Sequence, residues 1–195
     1  MKELINEINE TDKVLDIGCG KDSPLQYIKC KEKIGYDFYE PYIKQSQNKR
    51  IHNRYVIGDL EKFNLNEFFD CIIALEVIEH IGKQEGIKLL NKIEKITNKI
   101  IITVPSGCLN LKPQKGDNPK EKHISEWENK DFVKLGYKTY GLNGFRWMFN
   151  IKDKLELRKP KILFKIIRKI LKKQIINNPD YTIQILAIKN KGRKE

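Results

Sequence analysis

Cysteine is scarce and scattered in this sequence: the 195 residues hold four, Cys19, Cys30, Cys71 and Cys108, and no two form a CxxC pair. That spacing argues against a zinc ribbon or a disulfide framework and fits free thiols in a reducing cytoplasm. No run of about 18 apolar residues occurs, so no membrane-spanning helix is expected. The opening "MKELINEINE" is polar and lacks the apolar stretch of a signal peptide. Internal repeats and low-complexity linkers are missing too. Acidic residues are absent from 158–176, which carries eight Lys or Arg.

What is present describes a globular protein: 39% hydrophobic and 33% charged residues, in a length that suits one domain, 1–195, with a substantial core. The net charge of +12 is uneven. Residues 152–195 hold 14 Lys/Arg against 4 Asp/Glu, or +10, whereas 1–151 hold 24 against 22, or +2. The basicity is therefore local and needs a local cause.

Apolar, β-branched runs recur at "KVLDI" (13–17), "KIGYD" (33–37), "RYVIGD" (54–59), "FDCIIAL" (69–75) and "KIIITVP" (99–105). They are continuous rather than alternating, which predicts strands buried on both faces of a parallel sheet. Helix-like segments lie between them, clearest in 83–97, where Ile87, Leu90, Ile93 and Glu94 set one apolar stripe with charged flanks. The alternation predicts an α/β, doubly wound sheet with right-handed crossovers. Residues 106–122 read as loop. "SEWE" (125–128) matches a capping box, with Ser125 as N-cap and Glu128 three residues on, opening a helix that stops at Gly136. "YKTYGL" and "YTIQILAI" supply two last strands.

"VLDIGCGKDSPL" (14–25) reads as a strand, a glycine turn and a helix. Gly18 and Gly20 allow a sharp turn and close approach of a ligand to the main chain. A dinucleotide fingerprint would want a third glycine at 23, where Ser23 stands. Asp37 ends the second strand, placed to accept ribose hydroxyls, and Asp59 ends the third, within reach of an adenine amine. One glycine turn with two strand-end acids suits an adenosine ligand lacking a pyrophosphate. A tight turn with no ligand is the plainer alternative.

"ALEVIEHI" (74–81) places Glu76, Glu79 and His80 at i, i+3 and i+4 after the fourth strand, on one face if a helix opens there. Three readings stand: a divalent metal site for Mg or Mn because the ligands are mainly carboxylate, a metal-free pocket lining, or an acidic first helical turn favoured by the macrodipole.

In order and separation, "VLDIGCG", "GYD", "GDL", "FDCIIALEVIEHI" and "IIITVPSG" resemble the class I S-adenosylmethionine-dependent methyltransferases, over about residues 13–107. The resemblance implies a Rossmann-like seven-stranded sheet whose last strand is antiparallel. It also implies that Asp16, Gly18 and Gly20 lie along the methionine part of the cofactor, Asp37 on the ribose and Asp59 near the adenine, with Phe38 and Leu60 among the cofactor-binding residues and Glu76 facing the cofactor. "KDSP" after Gly20 departs from the pattern of many members, so Lys21 and Ser23 receive no role. "GKDSP", "EVIEHIGKQEGIKLL", "VPSG" and "KHISEW" further resemble small methyltransferases of cell-surface polysaccharide biosynthesis, up to about residue 147. The Glu-x-x-Glu-His block is similar to that of ubiquinone-pathway O-methyltransferases and of enzymes that methylate small-RNA 3′ ends. The RNA enzymes pair it with a later histidine. By that resemblance Glu76, Glu79, His80 and His123 bind metal, and 106–150 forms an acceptor-side loop and helix. His123 has a second reading as general base for an acceptor hydroxyl, because its unperturbed pKa lies near neutrality.

His52, in "KRIHNRY", has no partner pattern and is expected at the surface. Trp127 is expected on the apolar face of the capped helix, and Phe145 and Trp147 in the core, with an acceptor wall as their alternative. Segment 158–176 reads as one basic amphipathic helix inserted between the last two strands, with Ile162, Leu163, Ile166, Ile167, Ile170 and Leu171 opposite its lysines. It could pack on the domain, lie on an anionic membrane or face RNA. The expected function is cytoplasmic methyl transfer from S-adenosylmethionine to a hydroxyl on a sugar, a lipid-linked glycan precursor or another small molecule, through Glu79, His80 and His123. A metal-dependent RNA 2′-O-methyltransferase and a non-catalytic cofactor-binding or membrane-peripheral module are the alternatives.

Overall fold

The computed structural model describes residues 7–106, 118, 120–151, 155–157 and 160–192. Cys108, Arg158, Lys159, most of the expected 106–122 loop and the Trp147 side chain lie outside the described part.

The five expected strands form as β1 (Lys13–Ile17), β2 (Glu32–Asp37), β3 (Arg54–Ile57), β4 (Phe69–Leu75) and β5 (Thr97–Pro105). Their interiors are buried on both faces, as continuous apolar runs require, with Val14, Leu15, Ile34, Ile72, Ile73 and Ile101 wholly enclosed. β3 is the exception: it sits at the sheet edge, is only half-buried, and leaves Ile57 exposed. Together with β6 (Lys138–Phe145) and β9 (Thr182–Asn190) these strands make one seven-stranded sheet in the order β3-β2-β1-β4-β5-β9-β6. β1 pairs parallel with β2 and β4, β2 parallel with β3, and β9 antiparallel with β6. This is the expected α/β sheet with an antiparallel last strand. The strand order reverses at β1, and in an open α/β sheet ligands bind at such a switch point, outside the carboxyl ends of the strands.

Helices α1 (Glu40–Asn48) and α2 (Lys83–Ile93) connect strands in the first half. α2 buries Leu89, Leu90 and Ile93 and stops four residues earlier than the stripe predicts. Glu94 and Lys95 turn out of it, and the β-branched Thr97 already belongs to β5. No α-helix joins β1 to β2. The helix expected after Gly20 is a single 3₁₀ turn, Pro24–Tyr27, with Ser23 Oγ accepting from the Leu25 amide at 3.1 Å. Between Gly20 and β2 the buried apolar side chains are Leu25 and Ile28 alone, too few for a helical stripe.

The capping box is displaced by three residues. α3 (Asn129–Lys134) has Glu128 as N-cap, whose amide donates to Asp131 Oδ2 at 2.8 Å, and Gly136 at φ +80° ends the segment as expected. Ser125 is engaged elsewhere: its hydroxyl donates to the Ile78 carbonyl at 3.2 Å and accepts from Trp127 Nε1 at 3.0 Å. Trp127 lies just before α3, fully buried, stacked on Phe132 with ring centroids 5.3 Å apart.

Between β6 and β9 the chain inserts a β7 (Phe149–Ile151)–β8 (Leu155–Leu157) hairpin and then the basic segment. The latter is two helices, α4 (Lys161–Ile170) and α5 (Lys172–Asn177), broken at Leu171, whose ψ of 17° is off-helix. Phe145, half-buried, packs against the core of Met148, Phe149 and Ile183, as expected.

Two compact units divide the chain. One comprises Met1–Val77, Gln84–Ile102 and Lys189–Glu195; the other comprises Ile78–Lys83 and Thr103–Ile188.

Candidate functional site

In the first unit, β1 runs into a turn at Gly18–Gly20. Gly18 (φ +66°) and Gly20 (φ +54°) both hold left-handed backbone, which side-chain-bearing residues adopt only at a cost. The amides of Gly18 and Cys19 donate to the Tyr36 carbonyl at 2.7 and 3.2 Å, which ties the turn to β2. A Cβ on Gly18 would meet Val77 Cγ2 at 2.5 Å, whereas a Cβ on Gly20 would find nothing closer than 4.0 Å. Gly18 is thus a packing glycine, and Gly20 faces open space where a ligand can approach the main chain.

Asp37, buried at the end of β2, accepts from the Gly20 amide (Oδ2, 2.9 Å) and the Tyr39 amide (Oδ1, 2.9 Å). Each carboxylate oxygen keeps a second lone pair for a hydroxyl, so the donor set suits a ribose. Asp59 follows β3, half-buried, and its side chain accepts from the Glu61 amide at 3.1 Å while its carbonyl accepts from Tyr36 Oη at 3.0 Å. Leu60 opens the 3₁₀ turn capped by Asp59, and Phe38, half-buried, lies beside Tyr39 with ring centroids 6.1 Å apart. These features fit an adenosine ligand. Burial, with Asp16 and Asp37 nearby, pushes the Cys19 thiol far above its ordinary range, so it stays neutral and is no nucleophile.

The "KDSP" stretch follows its own path. Lys21 Nζ lies 4.8 Å from the Tyr42 ring centroid, Lys49 pairs with Asp22, and Ser23 caps the 3₁₀ turn.

His52 overturns its expected surface position. Its side chain is fully buried, and Nε2 lies 2.9 Å from Asp16 Oδ2, itself buried in β1. Ser46 Oγ is 3.3 Å from His52 Nδ1 and 2.8 Å from Tyr55 Oη, which extends the network. Charged neighbours on both sides in sequence hid the residue. The available signal was Asp16: a carboxylate flanked by Val14, Leu15 and Ile17 inside a buried strand requires a buried partner.

Glu76 follows β4 with φ +58°, in the left-handed region, so it does not share a helical face with Glu79 and His80. The latter two sit in a 3₁₀ turn, Ile78–His80, and α2 begins only at Lys83.

In the second unit, Glu79, His80 and His123 come together, each offering one ligand atom, all within 4.8 Å of one another. Glu76 is not in this group. Backbone bonds fix the arrangement: the Ile124 and Ser125 amides donate to the Glu79 carbonyl at 2.9 and 3.1 Å. His80 Nδ1 lies 3.2 Å from the Lys122 carbonyl, and because a carbonyl only accepts, Nδ1 is the donor that fixes the ring. The His80 and His123 rings stand 5.0 Å apart, edge to face, and Glu79 is buried. Trp127, two residues past this junction, carries Lys83 Nζ 3.9 Å from its ring centroid, and the same Nζ donates to Asp131 at 2.5 Å. Burial alone would raise the Asp131 carboxyl, but Lys83 and the Glu128 amide together hold it below its ordinary value. The donor set is two imidazoles and one carboxylate, richer in nitrogen than the sequence suggests.

A family described as a methyltransferase domain matches residues 15–99. No curated protein matches the chain in sequence. Among solved structures, the small RNA methyltransferase HEN1 is similar over 100% of this chain at 18% identity with a TM-score of 0.61, and the chain spans only 25% of that protein's length. The methyltransferase domain of bacterial CtHen1 is similar over 97% of this chain and 94% of its own, at 15% identity and a TM-score of 0.57. DhpI in complex with S-adenosylhomocysteine is similar over 98% of this chain and 82% of its own, at 8% identity and a TM-score of 0.62. At such identities the likeness is one of fold.

Proposed function

We propose that this chain is a class I S-adenosylmethionine-dependent methyltransferase that methylates a sugar hydroxyl, with Glu79, His80 and His123 holding a divalent cation at the acceptor oxygen. One observation carries the reading: three ligand atoms converge within 4.8 Å on a turn and a loop joined by backbone hydrogen bonds. Two imidazoles with one carboxylate suit Mn²⁺ better than Mg²⁺, which prefers oxygen donors and retained water.

Asp37, oriented by the Gly20 and Tyr39 amides, takes the cofactor's ribose hydroxyls. The open face of Gly20 admits the methionine part, and Asp59, Leu60 and Phe38 border the adenine. Glu76, held at the end of β4, lines the cofactor side. When bound, S-adenosylmethionine would supply a methyl group on a positively charged sulfur, so that the C–O bond forms as the C–S bond breaks, the sulfur leaves as a neutral thioether and the acceptor's hydroxyl proton passes to solvent. A bound cation would act as a Lewis acid, lowering the pKa of the acceptor hydroxyl. His80, through its Lys122 hydrogen bond, presents a fixed nitrogen, and the loop carrying His123 orients the acceptor. Positioning supplies much of the rate, because the leaving group is already good.

The acceptor supported best is an RNA ribose 2′-hydroxyl. The Glu-x-x-Glu-His block with a later histidine favours it, as does the fold shared with HEN1. A glycan hydroxyl is the second reading, resting on the wider sequence likeness through "KHISEW". Labelled-methyl transfer into extract separated into RNA, glycan, lipid and protein fractions tests both. Label in RNA, abolished by chelator, supports the first; label in glycan supports the second; label in protein alone refutes both.

A further inference from the structure

Helix α4 (Lys161–Ile170) packs only part of its apolar surface. Phe164, Ile167 and Leu171 lie on the core of Met148, Phe149 and Ile183. Ile162, Ile166 and Ile170, spaced four apart, are instead 73%, 51% and 71% exposed, with Leu163 beside them at 49%. At about 1.5 Å per residue they form a ridge on the order of 12 Å long. At about 100° per residue, a second row borders it: Lys161, Lys165 and Lys169, all exposed. α5 adds exposed Lys172 and Lys173, and segment 158–176 contains no acid to offset them.

An aliphatic ridge left in water is unfavourable, and single exposed isoleucines do not normally align this way. The two rows together have a specific complement, a surface that is apolar a few ångströms below an anionic layer. We propose that α4 docks in the plane of an anionic lipid bilayer, with the isoleucine ridge at the acyl boundary and the lysine ammoniums among the phosphates. Among the described residues no helix is long and apolar enough to cross a membrane, so the contact is peripheral. RNA satisfies only half of the pattern. Its phosphates would engage the lysines, but its bases stack on aromatic rings, and the exposed ridge is wholly aliphatic.

Flotation of the full chain with phosphatidylcholine vesicles, with and without one part in three of phosphatidylglycerol, tests the proposal. Binding is expected to the anionic vesicles alone, weakening at high salt and falling about fivefold for each of Lys161→Gln, Lys165→Gln and Lys169→Gln. Ile162→Ser, Ile166→Ser and Ile170→Ser each lower it about tenfold. These side chains are exposed, so the variants should keep the parent's circular dichroism and S-adenosylhomocysteine affinity. Failure to float with anionic vesicles overturns the proposal. So does full binding by the triple isoleucine variant, which would mean charge adsorption alone. Equal loss of affinity by that variant for a single-stranded RNA would assign the face to RNA and overturn it as well.

Discussion

A methyl group added at Gly18 would strike Val77, but one added at Gly20 would enter open space. The two positions therefore predict different phenotypes from the same substitution. Gly18→Ala combines a forced left-handed φ with overpacking and should destabilise the protein by about 2 kcal/mol or more, read as a fall in Tm. Gly20→Ala carries only the backbone penalty of about 1–2 kcal/mol. It should fold, yet lose roughly tenfold or more in S-adenosylhomocysteine affinity by calorimetry, because the methyl occupies the ligand's approach. Beneath the turn, His52→Ala strips the buried Asp16 carboxylate of its Nε2 partner. A cost of about 3–5 kcal/mol in chemical denaturation is expected, as for a broken buried pair. A loss below about 1 kcal/mol would mean that water replaces His52 beside the carboxylate, and would contradict this.

At the scale of elements, the strands were legible because each is a continuous apolar run bounded by polar punctuation. Helix limits were less so. Ser125 and Glu128 have capping-box spacing, but Ser125 Oγ is committed to the Ile78 carbonyl and Trp127, a tertiary demand that local sequence does not display. The basic segment has helical periodicity throughout, and the break at Leu171 leaves no mark on it. One edge network also has a pH consequence. Lys13 first, and Arg54 next, hold the Glu67 carboxyl below its ordinary 4.5. Its folded pKa is thus below its unfolded one, so the stabilisation is present above pH 4.5 and is lost as pH falls through the folded value. The Tm gap between the parent and Glu67→Gln should narrow as pH drops below 4.5. The gap itself should be worth no more than about 1 kcal/mol for so exposed a pair.

Over the whole molecule, the composition is two-sided: a nearly neutral sheet-forming part and a basic insertion that holds most of the net charge. The candidate site was legible in its parts rather than in its assembly. Asp37 and the glycine turn were identifiable because strand-end acids and turns have local signatures. The His80–His123 approach depends on a loop folding back across more than forty residues, and a resemblance pointed to it where spacing could not. Spacing alone admits Glu76 to the ligand set only if a helix opens there, whereas the chain adopts φ +58° followed by a 3₁₀ turn. The central claim is that Glu79, His80 and His123 hold a cation needed for methyl transfer. The direct measurement is methyl transfer to an RNA oligonucleotide with a free 3′-terminal ribose, after chelation and again after Mn²⁺ is restored, in the parent and in His123→Ala. The account predicts at least about a hundredfold loss on chelation, recovery with Mn²⁺ in the parent only, and S-adenosylhomocysteine affinity within about twofold throughout. Undiminished transfer in chelator, with His123→Ala still fully active, would contradict it.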